Sequence, residues 1–515
     1  MGPRGGRGDR DGPRWSRDNG AMGSAVPRAP GPRGRQRSGG GRAWTGIVAG
    51  SLALVILVLV PAGALAVRVR PQRPAAGPLP WLSVRGGVIV DGRGREVLLR
   101  GFNDDELLRP AQLPSALTAQ DAALIQAEGF DVVRLPIAWS RLEPRPGQLS
   151  HSYLNRIVRL VRLCAAHRLY TVIDMHTEDF GPAFGGIGAP RWLRVPLVPN
   201  LQLPGLGAAW RRHLSPAVNA ALAAFWLTPG WQNLYWGALA QVARRLRPFS
   251  GVAGYDLYNE PHPLPIPPAL FETRILWPFY ARGIARIARA DPNHLFIVEG
   301  ELFGGLPTAI RPLHAPDLVY SLHLYAGSLL PPAFGGSAAP LWAELSQGLR
   351  ESRRLPAAYW TGELGIARTA PRAESWARAE LRLANRARVG WAWWQWADAG
   401  SWSVDAAGGR VAWSWLRVLA QPYPTAAPGH LRSVVFRDGQ LSVTLDGVPP
   451  GAAPLQLAWP AWLGPPRVDS LCARPQRGWT WATGSLSLRL TRPRCTVTVR
   501  SAGASPGRTA AVIGG

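Results

Sequence analysis

Eight short apolar runs alternate with helical stretches between residues 98 and 396, and this alternation limits the possible folds more than any other feature of the chain. The runs cover 98–102, 131–139 (DVVRLPIAW), 170–176 (YTVIDMH), 252–261 (VAGYDLYNEP), 294–300 (HLFIVEG), 318–325 (LVYSLHLY), 357–365 (AAYWTGELG) and 390–396 (GWAWWQW). Helical patterns fall at 118–128, 153–167, 231–247, 271–290 and 374–388. The first opens on Thr118-x-x-Asp121, a helix N-terminal signal, and stops before Gly129. Continuously apolar strands separated by helices imply a parallel sheet buried on both faces. Eight such units close into an α/β (β/α)8 TIM barrel. An open doubly wound sheet is the alternative, but no glycine-rich nucleotide-binding turn supports it.

The flanks read differently. Residues 81–103 form a small hairpin, with Asp91-Gly92 as a turn signal, leading into the first strand. After Tyr423 the helical signals stop, and 425–500 alternates apolar and polar residues as a small antiparallel β-sandwich. The barrel therefore occupies 81–424, and 501–515 is expected to fray. Residues 1–43 are Gly, Pro and Arg, with ten arginines against three aspartates, and are expected to be a disordered basic tail. The run 44–67 has no charged residue and is long enough to span a bilayer as a transmembrane helix. The basic tail ahead of it outweighs Arg68, Arg70 and Arg73 behind it, so the catalytic part is expected outside the cytoplasm. Ala64-Leu65-Ala66 resembles a signal-peptidase site, and cleavage after Ala66 would release a secreted protein. Residues 68–80 read as a linker.

The net charge of +26 is carried by arginine, with no lysine in the chain. Nucleic acid is the partner such a charge first suggests. The arginines are dispersed and no nucleic-acid motif accompanies them, so no nucleic-acid partner is expected. The three cysteines lack metal-ligand spacing. Cys164 reads as a buried thiol in a helix; Cys472 and Cys495 lie in the strand-rich tail and could pair in an oxidising compartment. Neither a metal nor an organic cofactor is expected, and a monomer is.

Catalytic groups of such a barrel sit at the C-terminal ends of its strands. The strand ends here carry Arg134, His176, Asn259 with Glu260, His323 with Tyr325, Glu363 and Trp396. Glu260 follows the fourth strand and Glu363 the seventh, across the barrel from each other. Two carboxyl groups flanking one bond are what glycoside hydrolysis requires. A spacing of about 5 Å gives retention, and about 6.5–9.5 Å gives inversion. Read singly, each of these residues has a structural alternative: a capping carboxylate, an ion-pair member or a core histidine. Among Trp393, Trp394 and Trp396, the last lies nearest the strand end and is the expected sugar platform. Asp174 reads as pointing away from His176.

Asn259-Glu260-Pro261 after the fourth strand, with Glu363 at the seventh, resembles glycoside hydrolase family 5. RLPIAWSRLEPRPG (134–147), VIDMH (172–176), YDLYNEPH (255–262), GELG (362–365) and Gln421-Pro-Tyr-Pro424 are most similar to its endoglycoceramidase branch. The resemblance implies a retaining β-glycosidase with Glu260 as acid/base and Glu363 as nucleophile. Asn259 would hold the sugar 2-hydroxyl, Arg134 would orient Glu363, and His176 would line the subsite next to the scissile bond. His323 would contact Glu260, Tyr325 would contact Glu363, and Trp396 would floor the sugar. The acid role predicts a Glu260 protonated near neutral pH, raised by apolar surroundings and by the charge of Glu363.

Thr177-Glu178-Asp179 and Gln421 depart from the branch pattern, so the sugar recognised stays open. The long connection 181–230, with Phe184, Trp192, Leu193, Trp210, Phe225 and Trp226, is either a self-packed cap or a lipid-binding lid. The expected substrate is a carbohydrate or a glycolipid such as glycosylceramide. A β-glucan or simpler β-glucoside is the alternative substrate, and a non-catalytic surface glycan or lipid binder the alternative class.

Overall fold

The computed structural model describes residues 78–502 apart from 110–116, 194–196, 202–211, 302–308, 399 and 407–409. The tail 1–43, the apolar run 44–67, most of the linker and nearly all of 501–515 lie outside the described residues. Among those described, no helix is long and apolar enough to cross a membrane.

Eight parallel strands form a closed barrel. They are β1 Arg100–Asn103, β2 Val132–Ile137, β3 Tyr170–Met175, β4 Val252–Asp256, β5 Leu295–Glu299, β6 Leu318–Ser321, β7 Ala358–Leu364 and β8 Gly390–Trp393. Each falls within or beside one of the eight apolar runs. β2 to β6 are buried along their whole length, as continuous apolar patterning requires when helices cover the outside.

The helices form where periodicity and caps agree. Ala119–Ala127 begins with a full capping box between Thr118 and Asp121. His151–Ala166 is capped by Ser150 and buries Tyr153, Leu154, Ile157, Val158, Val161 and Cys164, spacings that place them on one stripe facing the barrel. Between β5 and β6 no helix lies among the described residues, so the fifth unit departs from strict alternation.

The expected loop 181–230 contains a helix, Pro216–Leu227, followed directly by Pro229–Leu246. Phe225 and Trp226 are buried in an aromatic cluster with Tyr235, Tyr258 and Phe279. The Trp226 indole donates to the carbonyl of His262. This part of the connection is a self-packed cap, because its large side chains find partners within the protein. Trp210 lies outside the described residues.

The C-terminal strands are antiparallel, in two sheets. His430–Arg437, Gln440–Asp446, Cys495–Ser501 and Pro466–Asp469 make a four-stranded sheet. The other has seven strands and is not purely C-terminal: Leu82–Arg85, Val88–Asp91 and Glu96–Val97 join it through Tyr423–Ala427. Leu431, Val443 and Val497 of the small sheet share one apolar core with Leu455, Leu457 and Leu488 of the large one. The N-terminal hairpin also closes the barrel: Leu82, Ile89 and Val97 pack with Val132, Val172, Ile297 and Trp360 at the end where the strands begin. Cys472 and Cys495 form a disulfide, with Cα atoms 5.6 Å apart, and Cys164 is a buried free thiol.

Candidate active site

Arg134 is the hub of the opposite, C-terminal end of the barrel. It is completely buried on β2, where an unpaired guanidinium would be prohibitively destabilising. Its Nη1 donates to Glu363 Oε1 at 2.6 Å and to Asn103 Oδ1 at 3.1 Å, and lies 3.2 Å from Asp174 Oδ2. Its Nη2 donates to Asp256 Oδ2 and to Asn259 Oδ1, each at 2.9 Å, and reaches Glu299 Oε1 at 3.4 Å. Burial opposes the charge, but Asp174, Asp256, Glu363 and Glu299 overcome it and leave Arg134 firmly cationic.

Glu363 lies near the end of β7, with Oε1 held by Arg134 and Oε2 accepting from the Tyr325 hydroxyl at 2.9 Å. Burial raises the Tyr325 phenol well above its usual range, as does the neighbouring Glu363 charge, so it stays a neutral donor. The glycine before Glu363 has a steric reason. A Cβ on Gly362 would stand 2.8 Å from Ser321 Oγ and 3.0 Å from His323 Nε2, so a side chain there would displace the histidine.

Glu260 sits just beyond β4 with φ +47°, a left-handed conformation that costs a non-glycine residue about 1–2 kcal/mol. Its backbone N–H donates to Glu299 Oε2 at 2.8 Å, and its Oε1 lies 2.8 Å from His323 Nδ1. One carboxylate oxygen of Glu260, one of Glu363 and a ring nitrogen of His323 all lie within 4.8 Å of one another. The same grouping could in principle bracket a cation, but Arg134 and His323 already supply the countercharge.

The expectation of a protonated Glu260 is corrected. Burial does push its carboxyl up, but the His323 hydrogen bond and charge, with His176 and His213 adding to them, hold it down at about 2. His323 is the group that keeps the proton. Burial disfavours its charge, yet Glu299, Glu363 and Glu260 raise it well above its usual value. Burial raises Glu363 above the ordinary carboxylate range, against the opposing pull of His323 and Arg134.

His176 takes a defined orientation from Asp174, whose Oδ2 is 2.7 Å from His176 Nδ1. Asp174 therefore does not point away from His176; both turn into the barrel mouth, as residues two apart on a strand must. Asn259 is buried and bridges Arg134 to the carbonyl of Thr177. Trp396 is corrected as well. It is fully buried, edge-on to Phe102 at 5.1 Å, and cannot floor a ligand. Trp394, two residues earlier, is half-buried and stacks on the His176 ring at 5.8 Å and 13°.

The seven other expected residues meet at this one mouth, and four more join them: Asn103, Asp174, Asp256 and Glu299. A signal for three of these was present, because an arginine inside a barrel demands acids at the same level, and each acid closes or nearly closes a strand. Asp179 is a further group. It pairs with Arg212 and with His213, whose Nδ1 is 2.8 Å from its Oδ1.

The model of the cellulase family, glycosyl hydrolase family 5, matches residues 90–400, more than half of the chain. The chain belongs to glycosyl hydrolase family 5. It is accordingly an O-glycosyl hydrolase. Endoglycoceramidase I of Rhodococcus hoagii (strain 103S) is 27% identical over 401 residues, covering 70% of this chain and 76% of that one. Endo-glycoceramidase II from Rhodococcus sp., solved as a lactosyl-enzyme intermediate, is 25% identical with a TM-score of 0.70, over 80% of this chain and 99% of that one. An endogalactoceramidase crystal structure is 28% identical with a TM-score of 0.68, over 82% and 100%. The family 5 match ends near β8, so the strands from Tyr423 onward lie outside it.

Proposed function

We propose that this protein is a retaining β-glycosidase that cleaves a glycolipid such as a glycosylceramide, with Glu363 as nucleophile and Glu260 as acid/base. One observation carries the reading: one carboxylate oxygen of each glutamate lies within 4.8 Å of the other, an approach in keeping with the spacing of about 5–5.5 Å typical of retention.

In the first step a Glu363 oxygen bonds to the anomeric carbon while the glycosidic C–O bond breaks. The departing oxygen takes a proton from Glu260, which draws it from His323 Nδ1 at 2.8 Å. Once Glu363 is an ester its negative charge is gone, and with it one of the groups holding the proton on His323. Glu260 then accepts a proton from water and passes it back to His323 Nδ1, the water oxygen bonds to the anomeric carbon, and the ester C–O bond breaks. Arg134 and Tyr325 keep the Glu363 carboxylate fixed throughout, so little reorganisation accompanies the charge transfer.

The glycolipid assignment draws on the relatives, which are named endoglycoceramidase and endogalactoceramidase. The apolar run 44–67 would anchor the protein with its barrel outside the cytoplasm, and the Cys472–Cys495 disulfide is in keeping with an oxidising compartment. Incubation with a 2-fluoro-glycoside bearing a good leaving group, followed by peptide mass analysis, tests the mechanism. One sugar adduct on Glu363 is expected, and an unlabelled protein would refute the nucleophile. Release of oligosaccharide from a detergent-dispersed glycosphingolipid, with cello-oligosaccharide untouched, is expected of the substrate class. The reverse preference would refute the glycolipid assignment.

A further inference from the structure

We propose that Glu299 is a positioning residue of the acid/base apparatus: its carboxylate holds the backbone of Glu260 and the imidazole of His323 together, and so fixes where the catalytic proton rests. The inference builds on the reading of Glu260 as acid/base.

Glu299 ends β5 and is buried. Its two oxygens divide the work. Oε2 accepts the N–H of Glu260 at 2.8 Å, anchoring a residue held in a left-handed backbone conformation. Oε1 lies 3.2 Å from His323 Nε2 and 3.4 Å from Arg134 Nη2. Its own N–H donates to the Tyr280 hydroxyl at 3.3 Å, which ties the strand end to the helix Trp277–Ala290. His323 therefore stands between two carboxyl groups, Glu260 on Nδ1 and Glu299 on Nε2.

That sandwich has a chemical consequence. An imidazole facing a carboxylate on one side only can hand over its proton and become a neutral tautomer with an arbitrary ring orientation. With a hydrogen bond to Glu260 on Nδ1 and the Glu299 carboxylate 3.2 Å from Nε2, the ring is held by charge from both sides and the proton is offered to Glu260. The other groups acting on His323 are Glu363 from β7, Asp256 from β4 and Glu344 from the helix Ala339–Arg354. The ion pair at Nε2 is with Glu299, and Glu363 approaches Nδ1 instead, at 3.6 Å. Glu299 alone of these acids touches both Glu260 and the far side of the ring.

The test uses the full chain with Glu299→Gln and Glu299→Asp, assayed on aryl β-glycosides with poor and good leaving groups. Glu299→Gln removes the charge behind His323. The alkaline limb of kcat/KM should move to lower pH by about one unit, and kcat should fall about 10–100-fold with a poor leaving group. The loss should be at least about tenfold smaller with dinitrophenolate, which needs no proton. NMR titration of the His323 ring, assigned by its absence in His323→Asn, should show the same downward shift without reference to activity.

Glu299→Asp keeps the charge but shortens the reach. Its alkaline limb should stay in place while kcat falls. A folded Glu299→Gln with unmoved pH profile and unmoved His323 titration would overturn the proposal, as would Glu299→Asp with wild-type kcat should Glu299→Gln not fold. Wild-type labelling by the 2-fluoro-glycoside separates the two readings. Failure of that label would remove the mechanism, whereas a labelled wild type with an indifferent Glu299→Gln would remove only this role.

Discussion

Where the barrel strands begin, the interior is Leu99, Val132, Val172, Ile297, Val319 and Trp360, sealed by the hairpin residues Leu82 and Ile89. Where the strands end, the same cylinder holds Arg134, Asp174, Asp256, Asn259, Glu299 and Glu363, almost all fully buried. The first end is stabilised by apolar area removed from water, at about 25 cal/mol per Å². The second carries several charges whose desolvation is only offset by their mutual pairing. One geometry thus supports two environments, and the split follows strand direction: the polar residues lie where the connecting loops can open to a ligand. Stability should therefore respond mainly to changes at the first end, and turnover mainly to changes at the second.

The sharpest break between the ends is Glu363→Ala. Turnover of an aryl β-glycoside should fall by about 10⁴-fold or more. The melting temperature should not fall in proportion, because Arg134 keeps Asp174 and Asp256 as partners. A large drop in both would show that the polar end also carries the fold, and the division would fail.

Next in size is a pair two positions apart. Trp396 is enclosed and Trp394 faces the mouth. Trp396→Ala should destabilise by about 3–5 kcal/mol through the cavity it leaves. Trp394→Ala should leave the melting temperature nearly unchanged and lower kcat/KM by about 10–100-fold, or about 1.4–2.8 kcal/mol of transition-state binding. Measured on both variants, the two quantities should cross over. Equal effects would place both rings in one environment.

That pair also marks what was legible in the sequence. The strands could be read because a buried strand has to be apolar along its length, and Glu260, Glu363 and Arg134 could be read because strand ends of a barrel face its mouth. Trp394 against Trp396 could not, since the chain leaves β8 at Trp393 and regular alternation no longer says which ring turns inward. The ionisation of Glu260 was missed for a different reason. His323 is 63 positions away, and sequence spacing does not give its 2.8 Å contact. Likewise, the pairing of Glu96–Val97 with Tyr423–Ala427 joins segments on either side of the barrel, and no local signal announces it.

A gentler change at the apolar end is Ile297→Val, which removes one methylene from the sealed core. It should destabilise by about 0.5–1.5 kcal/mol in urea unfolding while kcat of the folded protein stays within about twofold. Ile297 is two residues from Glu299 on β5, so a clear fall in kcat would mean that packing at one end is transmitted along the strand to the other.

The last effect depends on pH and concerns a carboxyl beside the helices that support the mouth. Glu380, on the helix Ala373–Ala387, is pushed up from 4.5 to about 8, first by burial and then by the neighbouring Glu344. Glu344 in turn accepts the backbone N–H groups of Tyr325 and Ala326, the loop that delivers the phenol to Glu363. A carboxyl raised in the fold binds its proton more tightly there than in the unfolded chain. Its contribution is fully present below about pH 4.5 and is lost as pH rises towards 8. Glu380→Gln removes that titration. Melting curves at about pH 4 should then be close to wild type, while at about pH 9 the variant should be the more stable, with turnover little changed. If the wild type instead gained stability relative to Glu380→Gln on going alkaline, Glu380 would be a charged partner in a pair that stabilises the fold. The polar end would then contribute to stability as well as to chemistry.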